Sequence, residues 1–385
     1  MKDGWKLPLA VLSVAGLTAF MTVVLIQMPP AAAQEVCTGV PVKPGDDLDA
    51  MVNGASRTKA TTFCVQASDT PYQIDHMVVL NTGDRILGEP GEEITRGPAS
   101  YGVPLVSIRP QGTVGKMFTL RPNVELRWLD IGGAATEYHD NGSPVQGTGT
   151  AIRAGQSTAS STMEYLSIHD NDNQGIGTMN GKLRHSELYR NGTDTAFGGI
   201  TAAAVKGIDE YEAAFNYVHD NPANGLWCDV GCDAAGAAMP NGYWVHGNLV
   251  VNNGRSEIRY ESAPEGLATG IHASEPTALI EYNEVHGNSY NENRGAISVV
   301  DAQNALIQNN VFGTKTIEGV VGTTTIDSVT YGPNAFKPGA VKARDSGKTS
   351  RTDLWNVDIV DNVLNGEELR GCELPDDVVD CQGNH

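Results

Sequence analysis

Short apolar runs separated by Gly, Pro and Asn dominate the chain beyond its N-terminal segment. Runs such as TTFCVQA, PLVSIRP and GKMFTLRPNVELRWLDIGG are typical of short β-strands joined by turns. One stretch differs, because Leu48, Met51 and Val52 follow one another at roughly helical spacing, with Asp46 placed as the N-cap. The pattern predicts many short strands and one short helix near the N-terminus.

A repeated unit with fixed internal spacing begins near residue 120. Each unit has an apolar anchor, an apolar residue five positions earlier, and polar positions two before and three after the anchor. The anchors are Ile168, Leu188, Val218, Val250, Val285, Phe312 and Leu364. The earlier apolar residues are Met163, Leu183, Ala213, Val245, Ile280, Ile307 and Ile359. The two polar columns are Leu166, Ser186, Asn216, Asn248, Asn283, Asn310 and Asn362, and Asn171, Asn191, Asn221, Asn253, Asn288, Lys315 and Glu367.

Asparagine occupies five of the seven places in each polar column. It tolerates the left-handed backbone of a tight turn, and its amide can bond to the equivalent residue of the next repeat. A leucine-rich repeat would need a leucine-dominated consensus and a β-propeller four strands per unit, so neither fits as well. The pattern predicts an all-β parallel β-helix, a solenoid with a short N-terminal capping helix.

Four regions follow from the repeat. They are an export segment (1–34), an N-terminal cap with the first coils (35–119), the β-helix (120–371) and a C-terminal cap (372–385). Successive anchors lie roughly 20 to 35 residues apart as far as Phe312, within the range of solenoid coils. The interval to Leu364 is longer, which predicts an insertion near 313–355.

The first region has the features of an export signal. Lys2 and Lys6 precede an uncharged apolar run from Leu7 to Met28, and the small residues that follow fit a cleavage site before Gln34. The run is also long enough to span a bilayer, so an uncleaved membrane anchor is the alternative. Both interpretations place the body of the chain outside the cytoplasm, either secreted or at the cell surface.

The cysteines form an even set, which in an exported chain indicates disulfides. They are Cys37, Cys64, Cys228, Cys232, Cys372 and Cys381. Pairing between sequence neighbours is the simplest proposal, with one bridge in each cap. The pairing of Cys228 with Cys232 requires a tight turn between them. No second close Cys or His pair has the spacing of a zinc site, so no structural metal is expected.

The formal net charge of -20 argues against a nucleic-acid partner, because phosphate binding needs a basic surface. It also argues against polyanionic sugars, unless a local basic residue or a bound cation offsets the repulsion.

The segments PGDDL, TTFC and GDRILGEPG, followed by NGLWCD, IRYE and the Asn repeats, resemble the secreted right-handed β-helix repeat proteins of the pectate-lyase-like superfamily. The resemblance covers roughly Cys37 to Cys381 and implies a right-handed coil. We expect a polysaccharide or cell-wall glycan as partner and a monomer. The sequence lacks the arginine and calcium-ligand motifs of pectate lyases. It also lacks the Asn-Thr-Asp, Gly-His-Gly and Arg-Ile-Lys segments of polygalacturonases. The resemblance therefore implies a fold more than an activity.

A candidate site lies between Asn224 and Ser262. Leu226 and Ile258 both stand eight residues after an anchor, so we expect them to occupy the same strand position on adjacent coils. Because side chains alternate along a strand, the residues that flank these two would point outward. The resulting patch contains Trp227, Asp229, Arg259 and Glu261.

Each residue of this patch has a chemical role in the hypothesis. Trp227 would stack on a sugar ring, and Arg259 would hold a uronate carboxylate or sugar hydroxyls. Asp229 and Glu261 would form a catalytic acid and base, or would bind a cation such as Ca²⁺. The loop that follows Glu261 would bring His272 within reach of the substrate.

One residue after each anchor, a second column contains His169, His219 and His286. His169 and His219 are two coils apart, about 9.6 Å at sheet spacing, which is too far for shared zinc ligation. We expect surface or turn histidines there, of which His219 or His286 could act as a single general base.

Three functions fit the sequence. The first is a polysaccharide hydrolase, lyase or epimerase that uses Asp229 and Glu261. The second is a non-catalytic β-helix that binds glycan through the same patch. The third is a purely structural solenoid. The sequence predicts the fold, and it leaves the choice among these functions open.

Overall fold

The computed structural model describes residues 37–56, 58–154, 161–194, 202–229, 242–254, 269–274, 277–288, 295–334, 339–344, 355–372, 374 and 379–385. The predicted helix is present as α1 (Leu48–Gly54). Its N-cap is Asp47, whose Oδ1 accepts a hydrogen bond of 2.9 Å from the backbone N–H of Ala50. Asp46 instead accepts from the N–H of Lys43 in the preceding turn, so the predicted cap was one residue early.

Nearly all other elements are strands. The first ten are β1 (Val40–Val42), β2 (Thr62–Val65), β3 (Tyr72–Ile74), β4 (Val78–Val79), β5 (Arg85–Gly88), β6 (Glu92–Arg96), β7 (Ala99–Val103), β8 (Ser107–Pro110), β9 (Lys116–Leu120) and β10 (Glu125–Arg127). The next eleven are β11 (Asp130–Gly132), β12 (Thr150–Ala154), β13 (Ser161–Glu164), β14 (Ser167–His169), β15 (Gln174–Arg184), β16 (Glu187–Tyr189), β17 (Ala203–Ala214), β18 (Tyr217–His219), β19 (Asn224–Cys228), β20 (Tyr243–His246) and β21 (Leu249–Val251). The last eleven are β22 (Ile271–Ser274), β23 (Ala278–Glu281), β24 (Glu284–His286), β25 (Ile297–Val300), β26 (Gln303–Gln308), β27 (Lys315–Val321), β28 (Thr324–Tyr331), β29 (Val341–Arg344), β30 (Trp355–Val360), β31 (Leu369–Arg370) and β32 (Val379–Gln382).

The strands stack in parallel on three faces of one coil. The first face has the order β4-β9-β12-β15-β17-β19-β22-β25-β29-β31. The second has the order β1-β2-β5-β10-β13-β15-β17-β20-β23-β26-β30-β32, and shares the long strands β15 and β17 with the first. The third has the order β3-β8-β11-β14-β16-β18-β21-β24. The prediction of a right-handed parallel β-helix is confirmed.

Columns of apolar side chains fill the interior of the coil. One column on the second face contains Met163, Leu183, Ala213, Val245, Ile280, Ile307 and Ile359, and all seven are fully buried. The anchors from Ile168 to Val285 form a matching column on the third face. Both columns were predicted from the repeat. Since each coil covers the apolar residues of its neighbour, the core extends along the whole solenoid.

Two ladders of buried asparagine amides run along the corners that flank the third face. In the first ladder Asn248 donates from Nδ2 to Asn283 Oδ1 at 2.9 Å, and its own Oδ1 accepts from the backbone N–H and from Nδ2 of Asn216, each at 2.9 Å. Asn248 also donates to the backbone carbonyls of Ala213 and His246. The predicted bonding of amides up the column is confirmed.

The second ladder corrects one predicted member. After Asn288 the next rung is Asn334, which accepts at Oδ1 from the Asn288 N–H at 2.7 Å and donates to Glu367. Lys315, expected at this rung, lies instead in β27 and pairs with Glu284 at 2.6 Å. The sequence offset failed because β27 and β28 interrupt the coil between the two rungs.

The left-handed backbone conformation belongs to the residue before each ladder asparagine. Along the first ladder these residues are Phe215, Gly247, Tyr282, Asn309 and Asp361, and along the second they are Asp170, Arg190, Asp220, Asn252 and Gly287, with φ between 50° and 64°. The sequence interpretation placed the asparagine itself in the left-handed conformation, whereas the structure places the preceding residue there. Its role is to satisfy buried backbone groups that the bend leaves without a strand partner.

A separate antiparallel sheet covers part of the third face. It joins two hairpins that are far apart in sequence, in the order β28-β27-β6-β7. Arg96 on one hairpin forms an ion pair of 2.6 Å with Asp327 on the other. Below the sheet lies a small second core that contains Ala99, Tyr101, Tyr217, Leu249, Val251, Ile317 and Tyr331. The hairpin of β27 and β28 falls within the region where an insertion was predicted.

Two disulfides are present at the two ends of the coil. Cys37 bonds to Cys64, and Cys372 bonds to Cys381. Cys228 is also disulfide-bonded, whereas Cys232, its predicted partner, lies outside the described residues. Disulfides persist in oxidising compartments, so the protein is expected to fold in one.

The predicted export segment, residues 1–34, also lies outside the described residues, and its cleavage or retention stays a prediction. Within the described part of the chain, no helix is both long and apolar enough to cross a membrane.

Replacing Asn248 by Ala should destabilise the fold by about 3 kcal/mol, because several buried backbone and amide groups lose their partners at once. Urea unfolding followed by circular dichroism measures the change. Asn141, exposed in a loop, provides the matched control, and Asn141→Ala should change the free energy of unfolding by less than about 0.5 kcal/mol. Equal losses in both variants would contradict a supporting role for the ladder.

Candidate functional site

The predicted pairing of Leu226 with Ile258 is wrong. Leu226 in β19 pairs with Val205 on one side and with Ile271 on the other. The chain from the third face back to the first is short before β19 and much longer before β22, so an equal offset from the anchors does not give an equal strand position. Ile258, Arg259 and Glu261 lie outside the described residues.

The strand neighbours of Trp227 are therefore Lys206 and His272. Lys206 Nζ lies 4.0 Å from the centre of the Trp227 ring and 2.9 Å from Asp229 Oδ2. The ammonium group thus makes a cation–π contact and an ion pair together. Trp227 is only 3% exposed, so the expectation of an open stacking surface for sugar is wrong. The side chains of Lys206 and Asp229 are 14% and 27% exposed, so both are more accessible than the ring.

His272 occupies the next position along this face. Its ring centre lies 5.9 Å from that of Trp227, and its Nε2 lies 2.7 Å from the hydroxyl oxygen of Ser274. Ile271 and Ala273, which alternate with these two residues, belong to the core. His272 and Ser274 therefore point to the outer side of the strand, although both are buried. Ser298 follows His272 on the next strand.

A cleft of about 270 Å³ opens beside Lys206 and Asp229. Its lining includes Arg153, Gln174, Gly177, Lys206 and Asp229. Arg153, Gly177, Lys206 and Trp227 occupy successive positions of one column across the first face. Arg153 is exposed, and within the described part of the chain it has no ion-pair partner.

Gly177 and Thr178 shape the floor of the cleft. Gly177 contributes no side chain to the column between Arg153 and Lys206, and the Gln174 side chain fills the space beside it, because a Cβ atom on Gly177 would lie 2.1 Å from Gln174 Oε1. Thr178 follows with a φ of 51°, an unfavourable value for a β-branched residue, where the pairing of β15 with β17 shifts register. Its hydroxyl bonds to the carbonyl of Ala154. Strained positions of this kind concentrate at functional sites.

The structure thus keeps three of the predicted site residues together and adds two that the sequence interpretation missed. Trp227, Asp229 and His272 share the patch with Lys206, and Arg153 lies beyond Gly177. The sequence offered little indication of Lys206 and Arg153, because neither residue belongs to a strand that was located by its distance from an anchor. The register of the first face reveals both.

The predicted calcium interaction depended on Asp229 and Glu261 together. Among the described residues, no group of three or more His, Cys, Asp and Glu side chains is placed to hold a metal ion. Asp229 is instead neutralised by Lys206.

The histidine column on the third face is largely buried, contrary to the predicted surface position. His169 and His286 are 8% and 0% exposed. The rings of His169, Tyr189 and His219 stack, with centres 4.7 and 5.1 Å apart. No metal cluster forms among the described residues of this column.

Carboxylates hold two of these histidines on both ring nitrogens. His169 lies 2.7 Å from Asp130 Oδ1 and 2.6 Å from Asp170 Oδ2. His219 lies 3.1 Å from Glu187 Oε1 and 2.7 Å from Asp220 Oδ2. For His219, whose pKa is raised, a carboxylate at each ring nitrogen favours the doubly protonated cation. These contacts give His169 and His219 a structural role.

The pKa values follow from the same contacts. Burial by itself lowers the pKa of His219, but the hydrogen bonds to Asp220 and Glu187 outweigh it, and the net pKa is raised. The hydrogen bonds from Arg190 are the largest influence on Asp170 and, with those of His169, lower its pKa to about 2.

Comparisons with known proteins leave the activity of this chain open. No protein-family model matches the chain, and no curated protein matches its sequence. Among solved structures, a pectate lyase matches at 13% identity and a TM-score of 0.44, covering 84% of this chain and 78% of that one. The A-module of a mannuronan C-5 epimerase from Azotobacter vinelandii matches at 12% identity and a TM-score of 0.41, covering 90% and 94%. The enzymatically active domain of tailspike protein 2 from bacteriophage CBA120 matches at 11% identity and a TM-score of 0.47, covering 86% of this chain but 43% of that one. At such low similarity these matches assign no activity to this protein.

Raising the pH through the folded-state pKa of His219 should lower the free energy of unfolding. Because that pKa is raised above its unfolded value of about 6.5, the stabilisation is complete below this pH and is lost as the pH rises through the folded value. Urea titrations at a series of pH values from about 6 upward measure the slope. His219→Gln should remove this component, whereas His139→Gln, in an exposed loop, should keep it. An unchanged slope in His219→Gln would show that another group causes the dependence.

Proposed function

We propose that this protein is exported, binds an acidic polysaccharide along the first face of its β-helix, and processes the bound chain beside Asp229. The observation that carries the proposal is the cleft over Gly177, between the cations Arg153 and Lys206. The net charge of -20 repels an anionic ligand, so such a ligand needs a local group of cations to bind. The cleft supplies two.

The geometry of the face supports a polymeric ligand. Arg153 and Lys206 are separated by one intervening strand, about 9.6 Å at sheet spacing. A polysaccharide with regularly spaced carboxylate or sulfate groups can satisfy cations at such fixed intervals. Guanidinium and ammonium groups bind these anions through charge-assisted hydrogen bonds. Gln174 and Gly177 line the cleft between these two cations.

The chemistry proposed for the site is acid–base. Asp229 lines the cleft, and its ion pair with Lys206 places a carboxylate and a proton donor side by side. A carboxylate in that position can accept a proton from a sugar carbon or from water, which suits elimination, epimerisation or hydrolysis. Glu261, the second predicted carboxylate, remains part of this hypothesis from the sequence alone.

A second candidate function is binding without catalysis. Lys206 already neutralises Asp229 and covers Trp227, so both side chains are engaged before any ligand arrives. This observation favours a glycan-binding platform, and product analysis distinguishes the two functions.

Arg153→Gln and Lys206→Gln should each weaken binding to an acidic polysaccharide roughly tenfold, because each removes a charge-assisted contact. Affinity measured by isothermal titration calorimetry, with alginate and polygalacturonate as probes, should also fall with added salt in the wild type. Lys59→Gln makes the same charge change at an exposed position in the N-terminal region and should bind normally. Equal weakening by all three variants would indicate a nonspecific charge effect and contradict the cleft.

Asp229→Asn should retain most of the binding and lose product formation by about 100-fold or more, if the carboxylate transfers a proton. New reducing ends without an unsaturated chromophore would indicate hydrolysis, and the chromophore would indicate elimination. A change in uronate composition without chain cleavage would indicate epimerisation. Binding by the wild type without any product would favour the platform.

A further inference from the structure

We propose that Ser274 and His272 form a nucleophile and general base that remove acyl groups esterified to the sugar hydroxyls of the bound polysaccharide. This inference rests on the proposed function, because the same face must hold the polysaccharide. It adds an ester-cleaving activity to the acid–base chemistry proposed at Asp229.

The geometry of the pair carries the proposal. Ser274 Oγ lies 2.7 Å from His272 Nε2, within the range required of a nucleophile and its base. With the imidazole proton on Nδ1, the serine hydroxyl donates to Nε2 and is ready to lose its proton there. The two residues alternate on β22 with core residues, so both side chains project from the same outer side.

The pair adjoins the cationic patch. His272 is the strand neighbour of Trp227. Cys228, which precedes Asp229, pairs with Ala273, which precedes Ser274. A polysaccharide held at Lys206 would therefore extend over the serine.

Donors near the pair are available for the oxyanion that forms during ester cleavage. Trp227 Nε1–H and the hydroxyl of Ser298 are both buried and, in the described part of the molecule, have no hydrogen-bond partner. Lys206 adds a positive charge 4.0 Å from the Trp227 ring centre. Buried donors without a partner are costly in a folded protein, and a developing oxyanion would satisfy them.

The reaction balances without a cofactor. Ser274 Oγ attacks the carbonyl carbon of the ester while its proton passes to His272 Nε2. The bond between the carbonyl carbon and the sugar oxygen then breaks, and that oxygen takes the proton from His272. Water next attacks the acyl-serine with His272 as the base, which releases a carboxylic acid and restores the serine. One ester and one water give one sugar hydroxyl and one acid.

A fluorophosphonate probe, which forms a covalent bond with activated serines, tests the pair without any sugar. Wild-type protein should be labelled on Ser274, as located by mass spectrometry of the tryptic peptides. Ser274→Ala and His272→Gln should abolish the labelling. Ser161→Ala, at another buried serine, should be labelled like the wild type. Labelling that persists in Ser274→Ala would overturn the assignment of this serine.

Acetate release from O-acetylated alginate tests the activity itself. Ser274→Ala should lose about 1,000-fold or more in rate while it remains folded and keeps its affinity for the polysaccharide. His272→Gln should lose activity and also the rise of rate with pH that deprotonation of a histidine base produces. Wild-type protein that binds the polysaccharide but releases no acetate and takes no label would overturn this inference and leave the proposed function standing. Labelling at Ser274 without any polysaccharide binding would support the serine–histidine pair and overturn the proposed function.

Discussion

The buried asparagine amides at the corners of the coil are the constraint on which the rest of the structure depends. Each amide accepts from one coil and donates to the next, as Asn248 does between Asn216 and Asn283. A buried amide without these partners would cost several kcal/mol, so the coils can stack only in the register that satisfies them. That register decides which side chains meet on every face, including Lys206 beside Trp227.

The charges of the molecule are distributed unevenly between its faces. On the third face, carboxylates such as Asp130 and Asp170 are taken up by histidine and arginine partners. On the first face, Arg153 has no ion-pair partner in the described part of the chain, and Lys206 holds a single carboxylate. An acidic protein can therefore carry a local cationic surface, because screening in salt solution limits each charge to its immediate surroundings.

The antiparallel sheet that packs against the third face is held by contacts between distant parts of the chain, and no local sequence pattern predicts them. The hairpin of β6 and β7 pairs with that of β27 and β28 across more than two hundred residues of sequence, and Arg96 meets Asp327 at the junction. Each hairpin alone is an ordinary pair of short strands. Their association covers Tyr217 and His286, which explains why His286 is fully buried.

The sequence by itself determined the coil, its apolar columns and all but one rung of the amide ladders, because each depends on residue types repeated at short, regular intervals. It also determined the two terminal disulfides, because the cysteines of each bridge are neighbours in the sequence. The tertiary structure alone decided the site. Turns between faces differ in length, so Trp227 faces Lys206 and His272 on adjacent strands, and the equal offset that pointed to Arg259 proved misleading. The pattern also could not predict the burial of Trp227. Alternation along the strand places its side chain on the outer side, but the ammonium group of Lys206, from another coil, covers the ring.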